Sequence, residues 1–120
     1  MKETVVATRD SRKYKTIVTD LGKEKIASAT IEGAKVNMVT VVVGDGGGTY
    51  YIPTADMTVL RGERWRGNIA QKRVNPDSPN MIEIRAVIPR DVGGFTVREV
   101  GVLDDKGDLI AVCNTPDTEK

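Results

Sequence analysis

Apolar positions along the chain follow a helical period first and a strand period afterwards. Val18, Leu21, Gly22, Ile26 and Ala29 recur at spacings of three and four, which places them on one helical face. Thr19 or Asp20 can serve as N-cap, Gly33 as the stop, and Lys23, Glu24 and Lys25 as the side turned to water. A helix this short is marginal alone and has to be held by packing. The run from Val36 to Val43 is apolar on both faces in its second half, which predicts a strand covered on both sides. Gly44-Asp45-Gly46-Gly47-Gly48 breaks it, and residues 49–62 are irregular around Pro53. A second strand is expected from about Glu63 to Val74, closed by the turn Asn75-Pro76-Asp77-Ser78-Pro79. From Asn80 to Ile88 the pattern alternates, with Ile82, Ile84, Ala86 and Ile88 on one face and Glu83 and Arg85 on the other. Pro89 ends that strand and Gly93-Gly94 turns the chain. Phe95 to Leu103 forms the next strand, Asp104-Asp105-Lys106-Gly107 a hairpin turn, and Leu109 to Val112 the return. Three neighbouring strands joined by short turns imply an antiparallel meander. The fold class is therefore α+β, one short N-terminal helix packed on an antiparallel, mostly meander β-sheet.

Composition strengthens the β reading. The 120 residues include 16 Val and 9 Ile against 4 Leu, with 12 Thr and 12 Gly, and β-branched side chains lose less freedom in strands than in helices. The length suits one domain, or one domain with a tail. Aromatic residues are few (Tyr14, Tyr50, Tyr51, Trp65 and Phe95), so the core has to be aliphatic or share burial with a neighbouring chain. The formal charge of +1 argues against a strongly basic nucleic-acid binder. The chain has no histidine, hence neither the commonest general base nor the commonest metal ligand, and its one cysteine, Cys113, can form no intrachain disulfide. No apolar run reaches membrane-span length, and the first residues lack the apolar segment of a secretory signal. No cofactor is expected.

Four features invite a chemical reading. The glycine run at 44–48 could cradle phosphate through its amides, but no Lys-Ser/Thr pair and no helical pattern follow it, so a flexible turn is the better reading. Arg61, Arg64, Arg66, Lys72 and Arg73 surround Trp65, an arrangement open to single-stranded nucleic acid. In a strand, Arg64 and Arg66 share one face and Trp65 takes the other, which makes Trp65 core or interface and the arginines a solvated or partner-facing row. Glu99, Asp104, Asp105 and Asp108 supply a compensating acidic set, and opposite patches suit contacts between subunits. Arg98-Glu99 lies inside an apolar strand. Glu99 shares a face there with Val97, Gly101 and Leu103, and a buried carboxylate is expected to have an arginine partner. Without histidine, no nucleophile, base and orienting group assemble, so no enzyme is expected. Cys113 reads as a small core residue.

The ordered motifs go further. Tyr14-Lys-Thr-Ile-Val-Thr-Asp-Leu-Gly22, Val42-Val-Gly-Asp-Gly46, Trp65-Arg66, Val92-Gly-Gly-Phe-Thr-Val-Arg-Glu-Val-Gly-Val-Leu-Asp-Asp105 and Leu109-Ile-Ala-Val112 together resemble the N-terminal domain of phage tail-collar fibre proteins over about residues 14–118. The resemblance implies a structural part of a phage tail, or of a phage-tail-like bacteriocin, made in the bacterial cytoplasm. Such domains dock a fibre, generally a homotrimer, onto baseplate or collar proteins, with the receptor-reading part downstream. Neither nucleic acid nor membrane is an expected partner. A nucleic-acid or small-ligand domain of similar fold, using the cluster from Arg61 to Arg73, is the alternative.

The domain is then expected at 14–113. Residues 114–120 read as a linker or a truncated continuation, in a truncated chain, a fragment of a larger assembly or a short adaptor. Residues 1–13 read as an attachment arm, with Arg9, Arg12 and Lys13 beside the β-prone patch around Val5 and Val6. That patch could add a strand to a neighbour's open sheet edge. An edge strand of the same domain is the competing reading.

Overall fold

The computed structural model describes residues 2–4, 14 and 16–120 of the chain. In chain order the elements are β1 (Lys2–Thr4), β2 (Thr16–Val18), α1 (Asp20–Glu32), β3 (Met38–Gly44), β4 (Glu63–Asn68), β5 (Gln71–Asn75), β6 (Ser78–Val87), β7 (Thr96–Asp104) and β8 (Leu109–Glu119). Every strand pairing is antiparallel, and the α+β class holds. The strands divide between two sheets: five in the order β2-β8-β7-β3-β4, and three in the order β1-β6-β5. The expected meander is thus limited to hairpins, because β6 leaves its sequence neighbour β7 for the smaller sheet.

The division starts at a point where one long strand was expected. Residues 63–74 form two strands, broken at Ile69 and Ala70. The Ile69 amide donates to Val39 O at 2.9 Å, in the larger sheet, and the next amide, of Ala70, donates to Arg85 O at 2.8 Å, in the smaller one. Consecutive amides serving different sheets turn the corner without leaving a buried donor unpaired.

One core lies between the sheets. Val41, Val43, Val97, Val100 and Cys113 meet Ala86 of β6 and Ile88 just past its end, with Trp65, Ile69, Ile84, Val92 and Phe95 partly buried around them. A second core covers the other face of the larger sheet, where Val42, Leu103, Leu109 and Val112 meet Leu60, with Ile17 and Met57 at the margin. Val41, Val42 and Val43 therefore feed both cores alternately, as a strand apolar on both faces should. The alternation carries through β6 to the residue after it, Ala86 and Ile88 being buried, but the strand's far end outruns the core and leaves Ile82 57% exposed.

Helix α1 starts and stops where the capping residues put it. Thr19 is the N-cap, its Oγ1 accepting from the Gly22 amide at 3.0 Å. The same hydroxyl donates to Leu109 O at 2.6 Å, and the Thr19 amide donates to Ile110 O at 2.9 Å, so the cap also pins the helix to β8. Gly33 ends the helix in the left-handed region, at φ 71°, and the Ala34 amide closes onto Ala29 O at 2.8 Å. Replacing Thr19 with Ala should cost about 1–2 kcal/mol, the upper range for a cap, since the hydroxyl's buried bond to Leu109 O goes with it; urea unfolding checks this.

The helical face differs from the periodic one by a rotation. Gly22 is its buried residue, and Ile26 is 44% exposed. Lys25, expected on the water side, turns inward to Asp104 at 2.6 Å and Asp108 at 2.5 Å. The cause is Gly22: a Cβ there would stand 2.3 Å from Ile110 O. The helix sits on β8 along its bare α-carbon, which brings Lys25 rather than Ile26 over the β7–β8 turn. At the other end of the chain, residues 114–119, expected as loop or linker, continue β8, with Thr118 opposite Val97 and Glu119 opposite Thr96.

Candidate functional site

Between β3 and β4 the chain makes a long excursion, residues 45–62, over the second core. We call it the strap. Its two ends meet at the carboxylate of Glu99, in the middle of the sheet. Glu99 is fully buried. One oxygen, Oε2, accepts from the amides of Gly46 at 2.9 Å and Gly62 at 2.8 Å. The other, Oε1, accepts from the Arg61 amide at 2.9 Å and from the Tyr51 hydroxyl. Four donors thus converge on one carboxylate, three of them backbone. Gly44, opposite Glu99 in the ladder, leaves room for it, since a Cβ there would lie 2.4 Å from Oε2.

The arginine partner expected for Glu99 is not what the fold supplies. Arg98, on the neighbouring position, instead donates to Asp45 O at 3.1 Å and approaches Asp117 at 3.6 Å. Nor does Val97 share the face of Glu99. The β7–β8 register shifts between the two, and Val97 packs in the core between the sheets. Backbone amides serve a buried carboxylate as well as a guanidinium does, without a second charge to desolvate.

Further contacts complete the strap. Arg61 stacks its guanidinium 4.0 Å from the centre of the Tyr51 ring. Asn114 donates to Tyr51 O at 2.9 Å, and the Asp20 amide donates to Ala55 O at 2.7 Å, which ties the strap to the start of α1. Tyr14 and Tyr50 meet edge to face at 6.1 Å. Burial, aided by hydrogen bonding to Glu99, pushes the Tyr51 hydroxyl well above its ordinary pKa, so it remains a donor at any physiological pH. Tyr51, Gly62 and Asn114 were not singled out in the sequence, and Arg61 was read only as a member of the basic cluster. The adjacent Tyr50-Tyr51 pair following a glycine run was the available signal.

The glycine run is occupied by its own loop. Gly46 gives its amide to Glu99, Gly47 to Asp45 Oδ1 at 2.9 Å, and Gly48 to Asp45 O at 3.2 Å. All three glycines take positive φ, which explains their type without a phosphate. The hydrogen bond from Arg64, above all, holds the Asp45 carboxyl below its usual range.

The basic cluster is likewise engaged within the chain. Arg64 pairs with Asp45 at 2.8 Å, Arg66 grips both oxygens of Glu63 at 2.8 Å, Arg73 pairs with Glu83 at 2.8 Å, and Lys72 donates to Met38 O at 2.9 Å. Trp65 lies half-buried against the core between the sheets, its ring over Gly67. The acidic set does not form a patch either, since Glu99 is sealed inside and Asp104 and Asp108 share Lys25. Val5, Val6, Arg9 and Arg12 lie outside the described residues. Lys2–Thr4, from the same segment, pair with Val87–Arg85 of β6 in the same chain.

Asp104 is 5% exposed. Burial alone would raise its pKa, but the hydrogen bond from Lys25 and the amides of Asp108 and Lys106 outweigh that and lower it. Lys25 is raised in turn, chiefly by Asp104. A carboxyl with a depressed folded pKa contributes stability above its unfolded value, about 4, and loses it as pH falls through the folded value. Replacing Lys25 with Met removes the largest of the contacts that oppose burial and leaves only the two amides, so the acid-unfolding midpoint should move to higher pH. An NMR titration of Asp104 that is identical in both proteins would refute this.

Among the described residues no group of three or more Cys, Asp or Glu side chains is placed to hold a metal, and no helix is long and apolar enough to cross a membrane. Residues 11–120 match the family described as phage tail-collar fibre protein, N-terminal. The chain is also similar to the probable tail fiber protein of Escherichia phage P2, with 42% identity over 111 residues. That alignment covers 92% of the chain but 17% of the P2 protein, so the chain spans about a sixth of this relative's length. No solved structure matches it. The place of such a protein is the virion tail, and the chain belongs to the phage tail-collar fibre protein family, as its N-terminal domain.

Proposed function

We propose that this domain joins a tail fibre to the baseplate or collar of a contractile phage tail or tail-like particle, as one copy in a homotrimeric fibre. The family match over nearly the whole chain carries this reading. The site supports it: Glu99 spends both oxygens on four donors and has no surface open to a substrate. Its work is to hold the strap on the sheet as a rigid surface. Host attachment belongs to the fibre's remaining length, and the domain itself is not an enzyme.

Sedimentation with tails prepared without fibres tests the proposal. The chain should travel with the tails and saturate at a fixed number of copies per particle. In parallel, a salt titration against single-stranded DNA should detect no binding to lose. A steep salt slope on DNA, with no retention on tails, would favour the nucleic-acid reading instead.

A further inference from the structure

The smaller sheet ends in an edge that is barely covered. β6 runs from Ser78 to Val87, and on the side away from β5 its partner β1 meets only Arg85, Ala86 and Val87. Among the described residues no strand pairs with the rest of that side. Ile82 and Val87, at 57% and 49% exposed, flank this edge. An open edge of this kind pairs readily with another extended segment.

β1 has the properties of an exchangeable strand. It adds three residues of backbone pairing and lies before residues 11–120, the span shared with the family. The shared domain therefore leaves the β6 edge open by itself. Residues 5–15 separate β1 from β2, a length that reaches about 40 Å when extended. The longest dimension of the domain is 43 Å, so this tether can span to a neighbour packed alongside. The register Lys2↔Val87, Glu3↔Ala86, Thr4↔Arg85 makes the same bonds whether donor and acceptor belong to one chain or two. Exchange of an identical element therefore costs no pairing and ties the copies together.

We propose that the β6 edge at Arg85–Val87 takes the Lys2–Thr4 strand of a second copy of the chain. The inference rests on the reading of the fibre as an assembly of several copies, and it names the contact that would link them at their attachment end.

Cysteine pairs placed across the register test it. Lys2→Cys and Val87→Cys go into two differently tagged chains, which are co-expressed and oxidised under native conditions. Cys113 is buried and stays in place. Exchange yields a covalent dimer carrying both tags, and the doubly substituted chain yields covalent oligomers. A doubly substituted chain that closes only on itself, or a failure of both preparations to cross-link, overturns the proposal. Light scattering of the unmodified chain separates the two layers of argument. An oligomer whose cross-link is intrachain refutes the exchange and leaves the assembly standing. A monomer at all concentrations refutes the exchange and the multi-copy reading of this domain together.

Discussion

Replacing Glu99 with alanine is expected to destabilise the domain by about 3–5 kcal/mol, the cost of opening a buried polar network at its centre. The variant leaves the Tyr51 hydroxyl and the amides of Gly46, Arg61 and Gly62 without their acceptor. Each orphaned buried donor costs about 1–3 kcal/mol, and water entering at Arg61 and Gly62 recovers part of the sum. A domain of this size has only about 5–15 kcal/mol in total, so a large share is lost. Two milder variants order the effect. Glu99→Gln keeps the shape and one carbonyl oxygen; with its amide nitrogen toward Tyr51, whose hydroxyl can turn round and accept, only the Arg61 amide loses its bond. Tyr51→Phe removes a single donor and should cost about 1.5–3 kcal/mol, the value of a bond to a charged group. Urea unfolding should therefore rank Ala above Gln and Gln above Tyr51→Phe. An alanine variant within about 1 kcal/mol of the parent would show that Glu99 does not hold the strap.

The second large effect comes from a methyl group. Gly22→Ala improves intrinsic helix propensity by about 1 kcal/mol, which on local grounds alone predicts a more stable protein. The structure reverses the sign. The new Cβ would lie 2.3 Å from Ile110 O and 3.0 Å from its carbonyl carbon, both backbone atoms of β8, where Ile110 O already accepts from the Thr19 amide. Neither can rotate away, so the helix has to lift off β8, loosening the Thr19 bonds and the Lys25 bridges. Overpacking of this kind costs about 1–3 kcal/mol, and against rigid backbone it outweighs the propensity gain. Thermal unfolding decides the sign, and a raised Tm would contradict the docking described here.

These two residues show what could be read from the sequence and what could not. β3 and the alternation of β6 were legible because burial imposes a period of two, or none, on the side chains themselves. The caps Thr19 and Gly33 were legible because their chemistry acts within a few residues. Glu99 was recognisable as buried, since a carboxylate in an apolar strand has few alternatives. Its partners were not, because three of the four donors are backbone amides, which every residue type carries, and the strap that delivers them has no periodicity. The rotation of α1 was hidden for a related reason: Gly22 counted as a neutral member of the apolar face, whereas its missing side chain decides how close the helix comes. The split at Ile69 and Ala70 was missed although Gly67 and Asn68, residue types depleted in strands, stand just before it; the corner itself is marked by long-range pairing with Val39 and Arg85. Residues 114–119 read as loop on composition, yet they gain a strand from the unpaired edge of β7.

The strap, held by Glu99 on a rigid sheet, is central to the account of an attachment domain. Competition for the attachment point tests it most directly: phage particles made without fibres are mixed with full-length fibre in the presence of excess chain, and infectivity is counted. The account expects the parent chain to block recovery of infectivity in proportion to its concentration, and Glu99→Ala to lose that effect at a temperature where Lys25→Met keeps it. Full recovery of infectivity in the presence of saturating, folded parent chain would contradict it.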